Sequence, residues 1–135
     1  MPAIFDHEKL KVYQDSLRFV AWADPIIERL PTRVAARDQL DRSSTSIPLN
    51  LAEGNGRRSP AERCRFFDIA RGSEVESAAC LDVLLAKKRI SDQEAAAGKA
   101  MLIEIVSMTA GLIAHFSKQV HEGPAEYEVE IQEKE

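Results

Sequence analysis

The stretch from Arg42 to Arg58 reads RSSTSIPLNLAEGNGRR, and the rest of the chain is arranged around it. Wound as a helix at about 100° per residue, with Gln39 carried along, it places Gln39, Arg42, Ser46, Asn50 and Glu53 inside one arc of about 80°. Leu40, Ile47 and Leu51 fall well away from that arc. A narrow hydrogen-bonding seam beside an apolar stripe must match polar groups on a neighbour or face water. Pro48 lies inside the helix, where it removes one ladder bond and strains the preceding turn. Gly54 is expected to end the helix in left-handed backbone, and Gly54-Asn55-Gly56 to make the turn that follows.

Outward from this stretch the chain reads as helices. Ser59-Pro60-Ala61-Glu62 is a capping box with proline at the first helical position. The helix it starts runs to about Lys88 or Arg89, with Phe66, Ile69, Ala70, Ser73, Ser77, Cys80, Leu81 and Leu84 on its core side. Ser91-Asp92-Gln93-Glu94 is a second capping box and opens a helix to about Gln119, beyond which Gly123-Pro124 prevents continuation. Towards the N-terminus, a first helix runs from about His7 to Leu30, with Asp6 as its cap and Leu10, Tyr13, Leu17, Val20, Ile27 and Leu30 as its apolar face. Asp24-Pro25 should kink or break that helix. The second helix spans about Val34 to Glu53. The reading is all-α: an antiparallel up-down four-helix bundle over residues 1–120, with residues 121–135 as an acidic, disordered tail.

Composition agrees. One domain of 135 residues is long enough to bury a core without a metal or disulfide staple. Aromatic residues are only 6%, which favours helices over a sheet. Cys64 and Cys80 would lie about 24 Å apart on one helix, too far to bridge, and read as small buried thiols in a reducing cytosol. The net charge of −4 belongs to the tail: residues 121–135 hold six Glu and one Lys, while residues 1–120 hold 17 Lys and Arg against 16 Asp and Glu. Residues 29–71 carry nine Arg and no Lys, and Arg is the cation suited to planar contacts with phosphate or carboxylate. Met1 to Leu10 has three charged residues and no apolar core, so it does not read as a signal peptide, and the protein is expected to be cytoplasmic.

From Ala100 to Phe116 the only charged residue is Glu104. A membrane span needs about 20 apolar residues, more than this run supplies. The better reading is a helix buried on several sides, one against the bundle and another against a second subunit.

Templates for catalysis are missing: no Walker loop, no HExxH, no GxSxG and no paired CxxC. His7, His115 and His121 are not at ligand spacing, so neither a metal nor a cofactor is expected, and the chain does not read as an enzyme. Two groups of residues remain. The seam of Arg42, Ser46, Asn50 and Glu53, joined by Arg71 and Glu76, is expected to be a polar network within the fold or across a subunit boundary; a ligand site is the alternative. Arg57 and Arg58 lead into a helix N-terminus near Arg63, where free N–H groups and the helix dipole would attract phosphate of a nucleic acid; a solvated turn is the alternative.

Gln39-Leu40, Arg42, Ser46-Ile47-Pro48, Asn50 and Ala52-Glu53-Gly54 together resemble the signature of the 23S rRNA intervening-sequence protein family. Phe66-Phe67-Asp68-Ile69-Ala70-Arg71-Gly72-Ser73 with Glu76 resembles that family's next helix, and Leu10-Lys11-Val12-Tyr13-Gln14 its first. The likeness covers roughly residues 5 to 120. Departures are Asp41 where a basic residue is frequent, Glu74 where an apolar one is usual and Cys80 where a polar one is usual. The resemblance implies a four-helix bundle that closes into a homopentamer. It also implies a non-enzymatic role beside RNA or DNA, such as an accessory of a diversity-generating retroelement. A homo-oligomeric scaffold for a protein partner, with no nucleic-acid role, is the alternative.

Overall fold

The computed structural model of the protein describes residues 4–122. A single 3-10 turn, Asp6–Lys9, precedes four helices: α1 Lys11–Arg29, α2 Ala35–Gly56, α3 Pro60–Ala86 and α4 Asp92–Glu122. There is no strand among the described residues. Each helix packs on two others: α1 on α2 and α4, α3 on α2 and α4. The pairs α1 with α3 and α2 with α4 lie across the diagonals, with their backbones held apart. With short connections between successive helices this is an up-down four-helix bundle. From Gly123 onward the expected acidic tail lies outside the described residues.

Phe19, Leu40, Ile47, Leu51, Phe67, Leu81, Leu84, Leu102 and Ile105 form the fully enclosed centre. On α1 the buried face is Val12, Ser16, Phe19, Ala23 and Ile26, at spacings of four and three. Of the expected face, Ile27 and Leu30 are buried and Leu10 and Tyr13 pack partly buried against the core, but Leu17 is exposed and Val20 half-buried. Ser16 and Ala23 hide the repeat in the sequence because neither looks apolar enough to mark a core. Ser16 is tolerated there because its hydroxyl donates to the Tyr13 carbonyl at 2.7 Å.

Helix α1 also runs unbroken through Pro25. Pro25 and Ala21, whose carbonyl loses its ladder partner, are both exposed, so water can take the vacated acceptor. Asp6 does not cap this helix; it sits inside the 3-10 turn and accepts from Asn55 Nδ2 at 3.0 Å, tying that turn to the end of α2.

Gly54 has a different purpose from the one expected. Helix α2 continues through it to Gly56, and no described glycine has positive φ. Gly54 is buried, and a methyl group there would lie 2.7 Å from Phe67 Cε1 and 3.2 Å from the Arg63 carbonyl oxygen. Glycine is needed for the close approach of α2 to α3. Two serine pairs sit between the same helices: Ser43 Oγ and Ser77 Oγ at 2.7 Å, and Ser73 Oγ donating to Ser46 Oγ at 2.8 Å.

The two capping boxes start their helices as expected. Ser59 Oγ accepts from the Glu62 N–H at 3.0 Å. At α4 both arms close: Ser91 Oγ accepts from the Glu94 N–H at 3.0 Å, and Glu94 Oε1 accepts from the Ser91 N–H at 2.9 Å. Helix α3 ends with Lys88 in left-handed backbone, φ 59°. The Arg89 N–H reaches back to the Leu84 carbonyl and the Lys88 N–H to the Leu85 carbonyl, the Schellman pattern.

Candidate functional site

The fold gathers arginines and aromatic rings at the end of the bundle where α2 gives way to α3. Arg57 half-buries against Phe66, its guanidinium 4.7 Å from the ring centre, and pairs with Glu53 one turn back. Arg65 lies 5.0 Å from the same ring. Arg63 lies 4.8 Å from the ring of Phe116 on α4, which also meets Phe67 and His115. Arg58 is exposed, and no hydrogen bond or ion pair holds it among the described residues. A shallow cleft beside this cluster, about 590 Å³, is lined by His7, Leu49, Ala52, Glu53, Gly56 and Arg57. Guanidinium over an aromatic face is fixed in direction while keeping its outer N–H donors available.

Arg57 and Arg63 each lie over a ring, Phe66 and Phe116 respectively, and exposed Arg58 follows Arg57 in the chain. Arg65 joins them through Phe66 and was missed, because only the fold shows that two arginines eight apart share one ring. One expected contributor is weakened: the Glu62 N–H at the start of α3 is already taken by Ser59. Attraction for an anion here rests on side-chain charge more than on the helix terminus.

The seam residues do not converge within the chain. Arg42, Glu53, Arg71 and Glu76 are exposed, and Asn50 is half-buried. Asn50 Nδ2 donates to Ser46 Oγ and to the Ser46 carbonyl, both at 2.9 Å, along its own helix. Only Ser46 crosses to α3, through Ser73. Arg42 and Glu76 act with opposite sign on the buried Cys80 thiol, whose pKa is raised chiefly by burial. A second shallow cleft, about 510 Å³, follows the seam and is lined by Asp41, Arg42, Thr45, Ser46, Leu49 and Asn50. The geometric reason is the serines: they let α2 and α3 come so close that the longer seam side chains are pushed to the outside.

Glu74 is the residue that sequence periodicity did not single out as buried. It is fully enclosed on α3 against α4. Thr109 Oγ1 donates to its Oε2 at 2.7 Å, while Oε1 has no hydrogen-bond partner. Burial pushes its carboxyl up to about 7, against smaller opposing effects of Thr109 and Arg71. Among the described residues no group of three or more His, Cys, Asp or Glu is placed to hold a metal ion.

Helix α4 is long and apolar enough by length and composition to cross a membrane, with a mean hydropathy of 1.5, yet only 17% of that apolar window is buried in the chain. Ala95, Leu102, Ile105 and Thr109 face the bundle, while Ile103 is 68% exposed.

An up-down bundle with an arginine–aromatic end and an uncovered apolar helix defines a class of small helical protein. The chain belongs to the 23S rRNA-intervening sequence protein family, whose model matches residues 8–111. The fold is similar to the crystal structure of a protein of unknown function from the S23 ribosomal protein family of Bacteroides thetaiotaomicron VPI-5482. The TM-score is 0.69 at 21% identity, over 76% of this chain and 97% of that one. Among curated proteins, none matches.

Proposed function

We propose that the chain is a non-enzymatic, cytoplasmic homo-oligomer that binds nucleic acid through the Arg57, Arg58, Arg63 and Arg65 end of the bundle. The observation that carries this reading is the alignment of three guanidiniums on Phe66 and Phe116, with exposed Arg58 beside them. Phosphate oxygens accept planar N–H donors, and neighbouring rings can stack on unpaired bases. Membership of a family named for an rRNA intervening sequence supports the same choice.

Self-association is supported by the exposed apolar side of α4. Charged Lys99, Glu104 and Lys118 along that helix argue for a protein neighbour over lipid. A ring of subunits, five by the family resemblance, repeats the arginine cluster around one assembly and multiplies a modest charge. The test is binding of fluorescent single-stranded RNA and DNA by the full chain, titrated with salt. Affinity that falls steeply with salt supports the reading. Failure to bind either polymer at low salt leaves the protein scaffold, which the near-neutral balance of residues 1–120 favours.

A further inference from the structure

The 3-10 turn at Asp6–Lys9 mounts an aromatic ring at the edge of the arginine end. Phe5 stands just before the turn and is 73% exposed. Both of its backbone polar groups are held: its N–H donates to Glu8 Oε2 at 2.9 Å, and its carbonyl accepts from the Glu8 N–H at 3.0 Å. Gln14 Nε2 donates to the Glu8 carbonyl at 2.8 Å and fixes the turn to α1. The Phe5 ring stacks on the half-buried His7 ring, with 5.8 Å between centres and 13° between planes. His7 in turn meets Tyr13 edge to face at 4.7 Å. Phe5, His7 and Tyr13 therefore form a row of rings running from α1 out to solvent. Asp6 in the same turn is tied to Asn55, two residues before Arg57. His7 and Arg57 line the same shallow cleft of about 590 Å³.

We propose that Phe5 is a stacking platform for one unpaired base of a single-stranded nucleic acid whose phosphates lie on Arg57 and Arg58. This rests on the nucleic-acid reading and names the form of the polymer. The other rings at this end already carry partners: Phe66 has Arg57 and Arg65, and Phe116 has Arg63, Phe67 and His115. Phe5 has one face on His7, and its exposure leaves the other to a base. Every base offers a π face, so such a platform accepts any of them. A base inside a duplex is stacked on both faces, so only an unpaired one can reach the ring. The carboxylates at this edge are occupied: Asp6 by Asn55, Glu53 by Arg57 and Glu8 by the Phe5 N–H. Exposed Arg58 has no ion pair among the described residues and supplies the uncompensated charge. The turn is fixed before anything binds, so stacking costs little ordering.

Fluorescence anisotropy on the full chain tests it, with a labelled single-stranded RNA, the DNA of the same sequence and the RNA duplex at low salt. Phe5→Ala is expected to weaken whichever single strand binds, RNA or DNA, by about tenfold and to leave duplex affinity unchanged. Its salt slope should match that of the unaltered protein, because the phosphate contacts are intact. Phe5→Leu keeps apolar bulk without a ring and should weaken binding as Phe5→Ala does. Phe5→Trp should bind fully, with its indole emission quenched by the bound strand. Ile4→Ala, beside it and 47% exposed, should change nothing. Phe5 is exposed, so each variant keeps its fold, checked by circular dichroism. Unchanged affinity in Phe5→Ala, full affinity in Phe5→Leu or an equal loss on the duplex overturns the platform while nucleic-acid binding stands. An unaltered protein that binds none of the three polymers overturns both.

Discussion

Thr109 on α4 donates its hydroxyl to Glu74 on α3 at 2.7 Å, and among the described residues it is the only hydrogen-bond partner of this fully buried carboxyl group. An ionised carboxylate there would keep one bare oxygen in an apolar contact, so the neutral acid is the form the packing prefers.

Stability should therefore depend on pH through Glu74. Its folded pKa of about 7 lies above the ordinary 4.5, so the folded state holds the proton more tightly. The contribution is complete below about pH 4.5, falls as pH rises and is gone above about pH 7, a span of about 3 kcal/mol. Urea unfolding of the protein and of Glu74→Gln at pH 5 and pH 8 checks it. The unaltered protein should lose stability between the two relative to the variant; an identical change in both removes Glu74 from the account.

Arg29 and Glu94 couple the end of α1 to the start of α4 with the opposite sign. The guanidinium forms two parallel bonds to the carboxylate, 2.8 and 2.7 Å, and with the Ser91 N–H holds that acid down at about 2. Its contribution is present above about pH 4.5 and is lost as pH falls towards 2. The side chains are 47% and 31% exposed, so screening limits the pair to about 1 kcal/mol or less. Glu94→Gln should cost that much at pH 7 and nothing at pH 2, read by thermal melting at both.

Gly54→Ala should destabilise the bundle by about 1–3 kcal/mol, because the new methyl meets the fully buried Phe67 ring on one side and the Arg63 carbonyl on the other. A neutral or stabilising effect in chemical denaturation would mean the glycine serves the chain's turn and not its packing.

Lys88→Gly should have the opposite effect. Lysine at φ 59° is strained where glycine is not, and the Schellman bonds around it are backbone bonds that the substitution keeps. A gain of about 1 kcal/mol is expected, and any loss counts against it.

How much of this was legible in the sequence follows from the kind of signal each feature leaves. Ser59 and Ser91 announce their helices because capping is local chemistry written in four consecutive residues. The buried face of α1 was legible only in part, at Ile27 and Leu30, because Ser16 and Ala23 occupy core positions without apolar bulk. For the seam, periodicity found a face but not its neighbour: within the chain the serine pairs draw α2 onto α3 and leave Arg42 and Glu53 outside. Arg57, Arg58 and Arg63 could be singled out in the sequence and Arg65 could not, because its link to Arg57 runs across the Phe66 ring. Glu74 was visible only as a departure from the family pattern, since charge at a core position looks like a surface residue until its surroundings are known.

The central claim is that the arginine–aromatic end of the bundle holds nucleic acid. The most direct measurement is fluorescence anisotropy of a labelled single-stranded RNA with the unaltered protein and with the Arg57→Glu, Arg58→Glu double variant, at matched assembly state. The account predicts that the unaltered protein binds at low salt, and that the double variant loses retention while sedimenting unchanged. Any residual binding should show a salt slope shallower by about two, one for each lost phosphate contact. Equal affinity and equal salt slope for the two proteins would contradict it and take nucleic acid away from this end of the molecule.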